Sequence, residues 1–389
     1  MDTPQSITPL DRARSLVATV DAGAEEGEAR RRLADATVSA IRASGLFRLC
    51  VPRRYGGLEA PACEMIAAVE EVARGDGSAA WCIAIAATSG LLGGYLPEDE
   101  AREIYASDPL AASGGVFAPL GEAVVEGDGY RIRGRWPFAS GIHHCSWLMG
   151  GCVVIEAGKP GLSASGAPDS RLMLFPAAEA TIVDTWSVAG LCATGSHDMQ
   201  VADLWVPRSR TVSLVDDKPR ERGPLYLFPV FGCLAIGIAA VALGIARRGI
   251  DELCDLAAAK TPTGSRRRLA DRGHVQMQVA RAEAAYGAAR AYLHDTVTCT
   301  WEMASRCGEI SLRQRALLRL AASYCVTQAA GVVDAMYEAG GGTSIYRSSA
   351  LQRCLRDVHT ATQHMMVASP TLELAGRVLL GREADTSVL

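Results

Sequence analysis

The sequence predicts an α+β fold in which helices come first, a compact sheet follows and a helical bundle ends the chain. Apolar side chains recur at helical spacing over residues 26–110, alternate with polar ones over 113–206, and return to helical spacing beyond Phe231. Helices and strands are thus segregated along the 389 residues, which favours α+β over alternating βαβ units. We predict an N-terminal helical domain (1–110), a central β domain (111–215) and a C-terminal helical bundle (216–389).

The N-terminal region is predicted to contain three helices. The first begins near Leu33 and ends at Ser44-Gly45, where the helical spacing stops. Two more are expected over 63–74 and 78–87.

The central region is predicted to open with a hairpin. Val124-Val125 precede a turn at 127–129, and apolar side chains then alternate from Tyr130 to Trp136. No G-x-G-x-x-G motif follows a strand, so a Rossmann dinucleotide site is not expected. A loop rich in Gly, Ser and Pro is expected at 157–170, with further strands over 147–155, 172–175, 180–183 and 199–206.

The C-terminal region contains one segment that resembles a membrane span by composition. Residues 225–246 carry no charge over 22 positions, long enough to cross a bilayer. The segment is isolated, rich in Ala and Gly and broken by Pro229, so we interpret it as a helix buried within the bundle. Further helices are expected over 275–304, 312–338 and, as a pair, 350–380.

Composition excludes some classes of partner. The formal net charge is -4 and 21% of residues are charged, so nucleic acid is not an expected partner. The twelve cysteines form no C-x-x-C pair, which predicts neither a metal site nor disulfides and is typical of thiols in a reducing compartment. Residues 1–6 lack the basic start and apolar run of a signal peptide. We therefore expect a cytoplasmic protein that binds no membrane.

Four segments carry a resemblance that spans nearly the whole chain. They are SGLFRLCVPRRYGGLEA (44–60), GRWPFASGIHHCSW (134–147), DTWSVAGLCATGSHDMQVADLWVP (184–207) and AGGGTSIYRSSALQRCLRDVHTATQH (339–364). Together they resemble the acyl-CoA dehydrogenase superfamily, and within it the two-component flavin monooxygenases that hydroxylate phenols and related compounds. The resemblance implies the acyl-CoA dehydrogenase fold, with a β-barrel-like central domain and a C-terminal four-helix bundle, assembled as a homotetramer (a dimer of dimers).

The second segment is similar to the G-x-W-x-F-x-S-G signature of the monooxygenase branch, which implies that it passes along the flavin ring system. Trp136 and Phe138 would then offer flat apolar surface, Ala139 its backbone, and Ser140 a hydrogen bond to flavin N5. The alternative is a hairpin whose aromatic side chains fill the core of the sheet.

The third segment and the bundle supply further candidate contacts. By the resemblance, Thr194 and Ser196 belong to a polar loop near flavin and substrate, while Cys192 stands where arginine is usual. Lys260 stands where the family uses an arginine for the flavin phosphates, which keeps the charge but loses the bidentate fork. Gly340 and Gly341 correspond to the turn that approaches the adenosine of a neighbour's FAD. The implied cofactor is reduced flavin, either FAD or FMN.

The fourth segment bears on the reaction. Counting from Arg356-Asp357, the catalytic glutamate of the dehydrogenases falls at Met365, which cannot accept a proton. His364 is its neighbour, and an imidazole can take a proton from a phenol near neutral pH. The resemblance implies that His364 is the base, and that the substrate attacks a flavin hydroperoxide stabilised by Ser140.

Other candidates for the substrate side are polar residues. Ser89 stands where relatives often carry a histidine, and His143 or His144 could replace it, only one of them facing a pocket if both lie on a strand. His359 is turned away from His364 on a helix, which favours a structural role, and it is kept as a substrate-side candidate.

The predicted function is insertion of one oxygen atom into a small aromatic or heterocyclic substrate. Because no nicotinamide site is visible, a separate reductase would deliver the reduced flavin that reacts with O2. Two alternatives stay open: a dehydrogenase or oxidase with an unrecognised carboxylate as base, and a catalytically degenerate flavin-binding scaffold. Ser89, Cys192 and Lys260 depart from the family pattern and give the scaffold alternative its support.

Overall fold

The computed structural model describes residues 7–163, 166–386 and 389. Residues 1–6, on which the expectation of no signal peptide rests, and residues 164–165 of the predicted loop lie outside the described residues. In the described part, two helical regions flank one sheet, as the sequence predicts.

The N-terminal region begins with a helix that the sequence analysis did not predict. A capping box starts it: the Thr8 side chain accepts from the backbone N–H of Asp11, and the Asp11 carboxylate accepts from that of Thr8. With Pro9 at the first position, this start signal is visible in the sequence. The helices of this region are α1 (Pro9–Arg30), α2 (Asp35–Ser44), α3 (Ala62–Ala73), α4 (Gly77–Gly90) and α5 (Glu98–Ala101).

Helix α4 is buried along most of its length because small side chains let other elements approach closely. Asp76 caps its first turn, with its carboxylate accepting from the N–H of Ala79 at 2.8 Å. It packs against the central helix of the bundle and against the first strand of the sheet, and it carries the buried Trp81. Helix α4 is therefore the element that links the three regions.

The central region is a mixed sheet of eight strands. The strands are β1 (Ser113–Glu126), β2 (Gly129–Trp136), β3 (Trp147–Glu156), β4 (Lys159–Pro160), β5 (Ser170–Pro176), β6 (Thr181–Val183), β7 (Asp198–Pro207) and β8 (Thr211–Val212). Their order in the sheet is β6-β7-β2-β1-β3-β5-β8, with β4 paired to β3. The predicted hairpin of β1 and β2 is confirmed, with Glu126 opposite Gly129, and β1 also pairs with β3 in parallel.

Trp136 occupies the core of this sheet. Its side chain is fully buried, and its Nε1–H donates to the carbonyl of Gly151 at 2.7 Å. A Cβ atom at Gly150 would lie 2.7 Å from the ring, and one at Gly121 only 2.3 Å from it. The glycines around Trp136 thus provide the space for a large ring inside the sheet.

The C-terminal bundle is built around one long apolar helix, which contains most of the segment that resembles a membrane span. Its elements are α6 (Pro224–Leu227), α7 (Val230–Ala259), α8 (Gly273–Cys307), α9 (Leu312–Gly340), α10 (Ala350–Thr362) and α11 (Pro370–Leu379). Helix α7 packs against α3, α4, α9 and α10.

Three helical segments are long and apolar enough to cross a membrane by length and composition alone: Gly77–Gly94, Val230–Ala259 and Leu312–Thr343. In the folded chain, 94%, 83% and 67% of their most apolar stretches are buried inside the protein. Their apolar surface is therefore used in packing between helices.

A buried carboxylate joins the N-terminal helices to the bundle. Glu70 of α3 accepts hydrogen bonds from three residues of α8: the Tyr286 hydroxyl at 2.7 Å, Arg290 Nε at 2.6 Å and His294 Nε2 at 3.1 Å. The cluster fixes α3 against α8 through polar contacts that the apolar packing alone does not specify.

Candidate active site

Four segments that are distant in the sequence meet around the indole ring of Trp81. Its Nε1–H donates to Ser140 Oγ, which follows strand β2, at 3.1 Å. Its ring meets that of His364, in the turn after α10, edge-on with 5.6 Å between centroids. The loop before β7 joins through Ser196, whose Oγ lies 2.7 Å from Ser140 Oγ. All three regions of the fold thus contribute to one site.

The hydroxyl groups at this site form a chain with one direction. Thr194 donates its proton to the carbonyl of Leu191 at 2.8 Å. Its oxygen lies 2.7 Å from Ser196 Oγ, so Ser196 is the donor in that contact. Ser196 then has no proton left for Ser140, and Ser140 must donate to it. The chain runs from Trp81 through the three hydroxyls to a backbone carbonyl.

The direction of this chain corrects the role expected for Ser140. Its single hydroxyl proton is directed to Ser196, so Ser140 has none to donate to a cofactor atom in this arrangement. Its oxygen accepts from Trp81 and keeps one further acceptor position. Toward a flavin, Ser140 is therefore an acceptor, suited to the N–H that reduced flavin carries at N5.

The two aromatic residues of the segment 134–147 have different surroundings, since Trp136 lies in the core of the sheet and Phe138 lies at the surface. The expectation that Trp136 offers its face to the flavin is wrong in this structure, because the ring is enclosed by the sheet. Phe138 instead is 68% exposed at a left-handed backbone position, φ 65°, with its ring edge-on to Trp186 at 6.1 Å. Next to it, Ala139 is buried, and its N–H donates to the carbonyl of His197 at 3.1 Å.

Of the two adjacent candidates in the fourth segment, His364 is the one at the site. Met365 is 65% exposed, whereas the partly buried imidazole of His364 contacts Trp81. The backbone N–H of Met366 donates to His364 Nδ1 at 3.2 Å. Burial, reinforced by the positive charge of Arg319, lowers the pKa of His364 to about 4. The imidazole is therefore neutral at physiological pH.

The Arg356-Asp357 pair anchors the loop before the hydroxyl chain. Asp357 accepts the N–H of Leu191 at 2.6 Å, and Arg356 donates to the carbonyl of Ala189. A Cβ atom at Gly190 would lie 2.1 Å from the Arg356 carbonyl oxygen, so only glycine fits between loop and helix. In the sequence this pair serves only as a reference point for counting positions. Its spacing from His364 is the one sequence signal that connects the pair to the site.

Cys192 lies in the anchored loop but beside Arg356. Its Sγ is 3.3 Å from the carbonyl of Val188 and 4.0 Å from Arg356 Nη1. Arg356 also forms an ion pair with Glu28 at 2.7 Å. The surroundings of Cys192 therefore already contain one guanidinium group. An arginine at position 192 would face a like charge there.

The histidines after the signature strand occupy a 3-10 turn, Ile142–His144, so the expected strand alternation does not apply to them. His144 is buried and stacked on Phe47 at 4.7 Å between centroids. Burial, then the charge of Arg42, lowers its pKa to about 3, so it is a neutral core residue. His143 is exposed and meets the ring of His197 edge-on.

Two of the remaining substrate candidates lie apart from the centre of the site. His359 is half exposed, on the bundle surface, and its Nε2 lies 2.7 Å from Asp334 Oδ1, which corrects its assignment to the substrate side. Ser89 is buried near the end of α4, where its carbonyl accepts from the Tyr105 hydroxyl at 3.3 Å.

Lys260, expected at the flavin phosphates, and Gly340, expected near the adenosine, lie next to each other. Lys260 Nζ donates to the carbonyl of Gly340 at 2.8 Å, across the gap between α7 and the end of α9. Gly341 has φ 59°, and a Cβ atom at Gly341 or Gly342 would meet only open space. A cation beside open backbone suits an approaching anionic group.

The described residues form no cluster of metal-ligating side chains, and the eleven cysteines whose side chains are described are free thiols. A reduced flavin, by contrast, fits three features of the structure. Phe138 presents an exposed aromatic ring, Ser140 keeps an acceptor position, and Lys260 presents a cation. These features suit respectively the ring system, the N5–H and the phosphate of a flavin.

Comparison with known proteins places the chain in a family. Residues 7–99 match the family model "Acyl-CoA dehydrogenase, N-terminal domain" and residues 236–369 match "Acyl-CoA dehydrogenase, C-terminal domain". The chain therefore belongs to the acyl-CoA dehydrogenase family. Within that family it is a flavin-dependent monooxygenase that uses reduced flavin, as its relatives indicate.

Three relatives illustrate that branch. Indole-3-acetate monooxygenase from Pseudomonas putida is 33% identical, covering 92% of this chain and 90% of that protein. The FADH(2)-dependent resorcinol hydroxylase, oxygenase component, from Rhizobium sp. (strain MTP-10005) is 26% identical, covering 92% and 91%. The structure of XiaF from Streptomyces sp. with FADH2 and glycerol has a TM-score of 0.89 and 28% identity, covering 96% and 95%.

Proposed function

We propose that this enzyme is the oxygenase component of a two-component system that inserts one oxygen atom into a small, electron-rich aromatic or heteroaromatic ring. The observation that carries the proposal is the neutral His364 next to the Trp81–Ser140 contact, where a dehydrogenase needs a carboxylate base. Met365, at the position counted for that carboxylate, is exposed and holds no proton acceptor. Removal of an α-proton, which begins the dehydrogenase reaction, therefore lacks its carboxylate base at this position.

When bound, reduced flavin would supply the electrons that activate O2, and O2 would be the source of the transferred oxygen atom. The protein's own residues prepare the site for this chemistry. Ser140 would accept a hydrogen bond from the N5–H of the flavin and so favour that proton staying on nitrogen. The exposed ring of Phe138 would offer an apolar surface to the ring system. Thr194 and Ser196 hold the Ser140 oxygen in place through the hydroxyl chain.

The substrate class follows from the polar groups available. Relatives named for indole-3-acetate and resorcinol share a small electron-rich ring as substrate. The side chains around Trp81 offer aromatic edges and one imidazole. A flat ring would pack against these edges, with His364 as its polar contact. The cofactor is reduced FAD or FMN delivered by a separate reductase.

We also propose that the enzyme works as a homotetramer in the cytoplasm. Ile345 and Tyr346, next to the turn that holds Gly340 and Gly341, are 66% and 65% exposed, and such apolar surface beside a cofactor contact suits an interface between copies. Free cysteines suit a reducing compartment. Sedimentation of the purified protein tests the tetramer directly.

The function is tested with the purified full chain, a flavin reductase, NADH and O2. A panel of indoles, phenols and sulfur heterocycles is offered, and products are examined by mass spectrometry for a gain of one oxygen atom, with labelled O2 as its source. Oxygenated product supports the proposal. Anaerobic reduction of oxidised flavin by a substrate, without oxygen insertion, would instead identify a dehydrogenase.

A further inference from the structure

The imidazole of His364 uses one nitrogen to accept a hydrogen bond. Nδ1 accepts the backbone N–H of Met366 at 3.2 Å. A neutral imidazole carries its proton on one nitrogen only, and the nitrogen that accepts cannot be the one that is protonated. With Nδ1 as the acceptor, the proton lies on Nε2. Among the described residues the hydrogen bond at Nδ1 is the only one that the ring forms, which leaves the Nε2–H for a ligand.

The backbone carbonyl of Met366 also forms a hydrogen bond. Arg319 of α9, only 2% exposed, donates from Nε to the carbonyl of Met366 at 3.2 Å. The positive charge of the same guanidinium also lowers the pKa of His364, because it disfavours a second proton on the imidazole. Arg319 therefore fixes the chain segment that supplies the N–H to His364, and its charge also keeps the imidazole neutral.

We propose that Arg319 is a positioning residue which, through Met366, holds His364 as the neutral tautomer protonated on Nε2, so that His364 offers the substrate a hydrogen bond and does not remove its proton. Action as a base at Nε2 would require the proton on Nδ1. That proton would then face the N–H of Met366, donor against donor, and the contact at 3.2 Å would be lost.

The Nε2–H tautomer limits which substrates fit the site, and this inference about the substrate rests on the proposed function. A donor at Nε2 suits a substrate with an acceptor atom, such as a carboxylate, carbonyl or ring ether oxygen. The reacting ring must be nucleophilic without losing a proton, as an indole or another electron-rich heteroaromatic ring is. A phenol that must first become a phenolate would react poorly.

The tautomer is measured on the full-length protein grown with histidine labelled with 15N at Nδ1 only. Solid-state 15N spectra of wild type and His364→Gln are compared at pH 7, and the signal lost in the variant belongs to His364. An unprotonated Nδ1 shift is the expected result. A protonated Nδ1 shift overturns the proposal, whatever the activity of the enzyme.

The role of Arg319 is tested with a matched pair of variants. Arg319→Met removes the charge and the donor, and we expect the pKa of His364 to rise and its Nδ1 signal to show partial protonation. Arg319→Lys keeps the charge and should largely restore the wild-type signal. An unchanged His364 signal in Arg319→Met would rule out the positioning role. If that variant does not fold, Arg319→Lys and the wild-type tautomer still test the proposal.

Activity then separates a donor from a base. Glutamine can donate near the position of Nε2 but cannot take up a proton, so His364→Gln should keep turnover within about tenfold of wild type, while His364→Ala loses about 100-fold. Equal losses in both variants overturn the donor role. If no substrate of the panel is oxygenated while the Nδ1 signal is unprotonated, the proposed function fails and the tautomer stands.

Discussion

Trp81 donates a hydrogen bond to Ser140 and touches His364 with the edge of the same ring, at 3.1 Å and 5.6 Å respectively. One side chain of α4 thus sets the distance between the hydroxyl proposed to face the flavin and the imidazole proposed to face the substrate. Because Trp81 is 7% exposed, its position is fixed by packing. The proposed arrangement of flavin and substrate therefore depends on the position of this ring.

Trp81→Phe should remove the hydrogen bond to Ser140 while preserving most of the packing. Without the indole N–H, the Ser140 oxygen loses a fixed donor, and we expect the yield of oxygenated product per reduced flavin to fall about fivefold, the equivalent of one neutral hydrogen bond. Hydrogen peroxide should rise correspondingly. Both are measured in the same coupled assay.

Trp205→Phe is the matched control for this variant. Trp205 lies in β7 and is 39% exposed, with its Nε1 3.4 Å from the carbonyl of Glu126. Its product yield should equal that of wild type. Equal yields in Trp81→Phe and Trp205→Phe would show that the Trp81 N–H has no part in coupling.

Ser196→Ala should break the hydroxyl chain at its centre. The proton of Ser140 then has no acceptor and the oxygen of Thr194 loses its donor, so the free energy of unfolding should fall by about 1–3 kcal/mol. Denaturant unfolding measures this change. Ser305→Ala, at an exposed helix position, should change it by less than about 0.5 kcal/mol. If Ser196→Ala were as stable as that control, the hydrogen bonds of the hydroxyl chain would not contribute to stability as proposed.

The fold could be predicted from the sequence because hydrophobic periodicity marks its long elements. The run over 275–304 became α8 (Gly273–Cys307) and the run over 312–338 became α9 (Leu312–Gly340). Helix α1 was missed because three of its five buried residues are Ala or Gly, although Thr8 and Asp11 carry its start signal.

The site could be predicted only in part, because burial and hydrogen-bond direction depend on partners distant in sequence. The signature pattern points to Trp136 and Phe138 alike, yet only the structure reveals the glycines that enclose Trp136. Likewise, the sequence brings His364 into consideration, but its tautomer depends on Met366 and on Arg319, 45 positions earlier in the chain.

Asp357→Asn should change how stability depends on pH. Burial, together with the charge of Asp76, raises the pKa of Asp357 from 3.8 to about 7. A raised folded-state pKa contributes stability that is present below pH 3.8 and lost as the pH rises toward 7. Asparagine can still accept from Leu191 but cannot ionise. The variant should therefore be more stable than wild type at pH 8, by about 1–3 kcal/mol.

Thermal unfolding from pH 4 to pH 8 measures this difference. Asp334→Asn, at an exposed position next to His359, serves as the control and should follow the wild-type curve. A difference between Asp357→Asn and wild type that stays constant across this range would contradict the raised pKa.

Lys260→Ala should weaken flavin binding. The ammonium group at Gly340 is the cation proposed for the phosphate, and its loss should raise the dissociation constant for reduced flavin about tenfold. Anaerobic fluorescence titration measures this constant. Lys159→Ala, in the exposed strand β4, should bind flavin as wild type does. Equal affinities would leave Lys260 with only a structural contact to Gly340.

Glu70→Gln should loosen the attachment of α3 to α8. Burial opposes ionisation of Glu70, but the hydrogen bonds from His294, Arg290 and Tyr286 outweigh it and lower its pKa below the usual 4.5. A lowered folded-state pKa contributes stability present above pH 4.5 and lost as the pH falls through the folded value. The variant should lose about 2–3 kcal/mol of unfolding free energy at pH 7, less than a fully buried pair because Arg290 is 43% exposed.

Denaturant unfolding at pH 7 and pH 4 measures this loss, which should be smaller at the lower pH. Glu283→Gln, on the surface, is the control and should cost under about 1 kcal/mol at both pH values. A loss of equal size at pH 7 and pH 4 would mean that the carboxylate charge does not hold the two helices together.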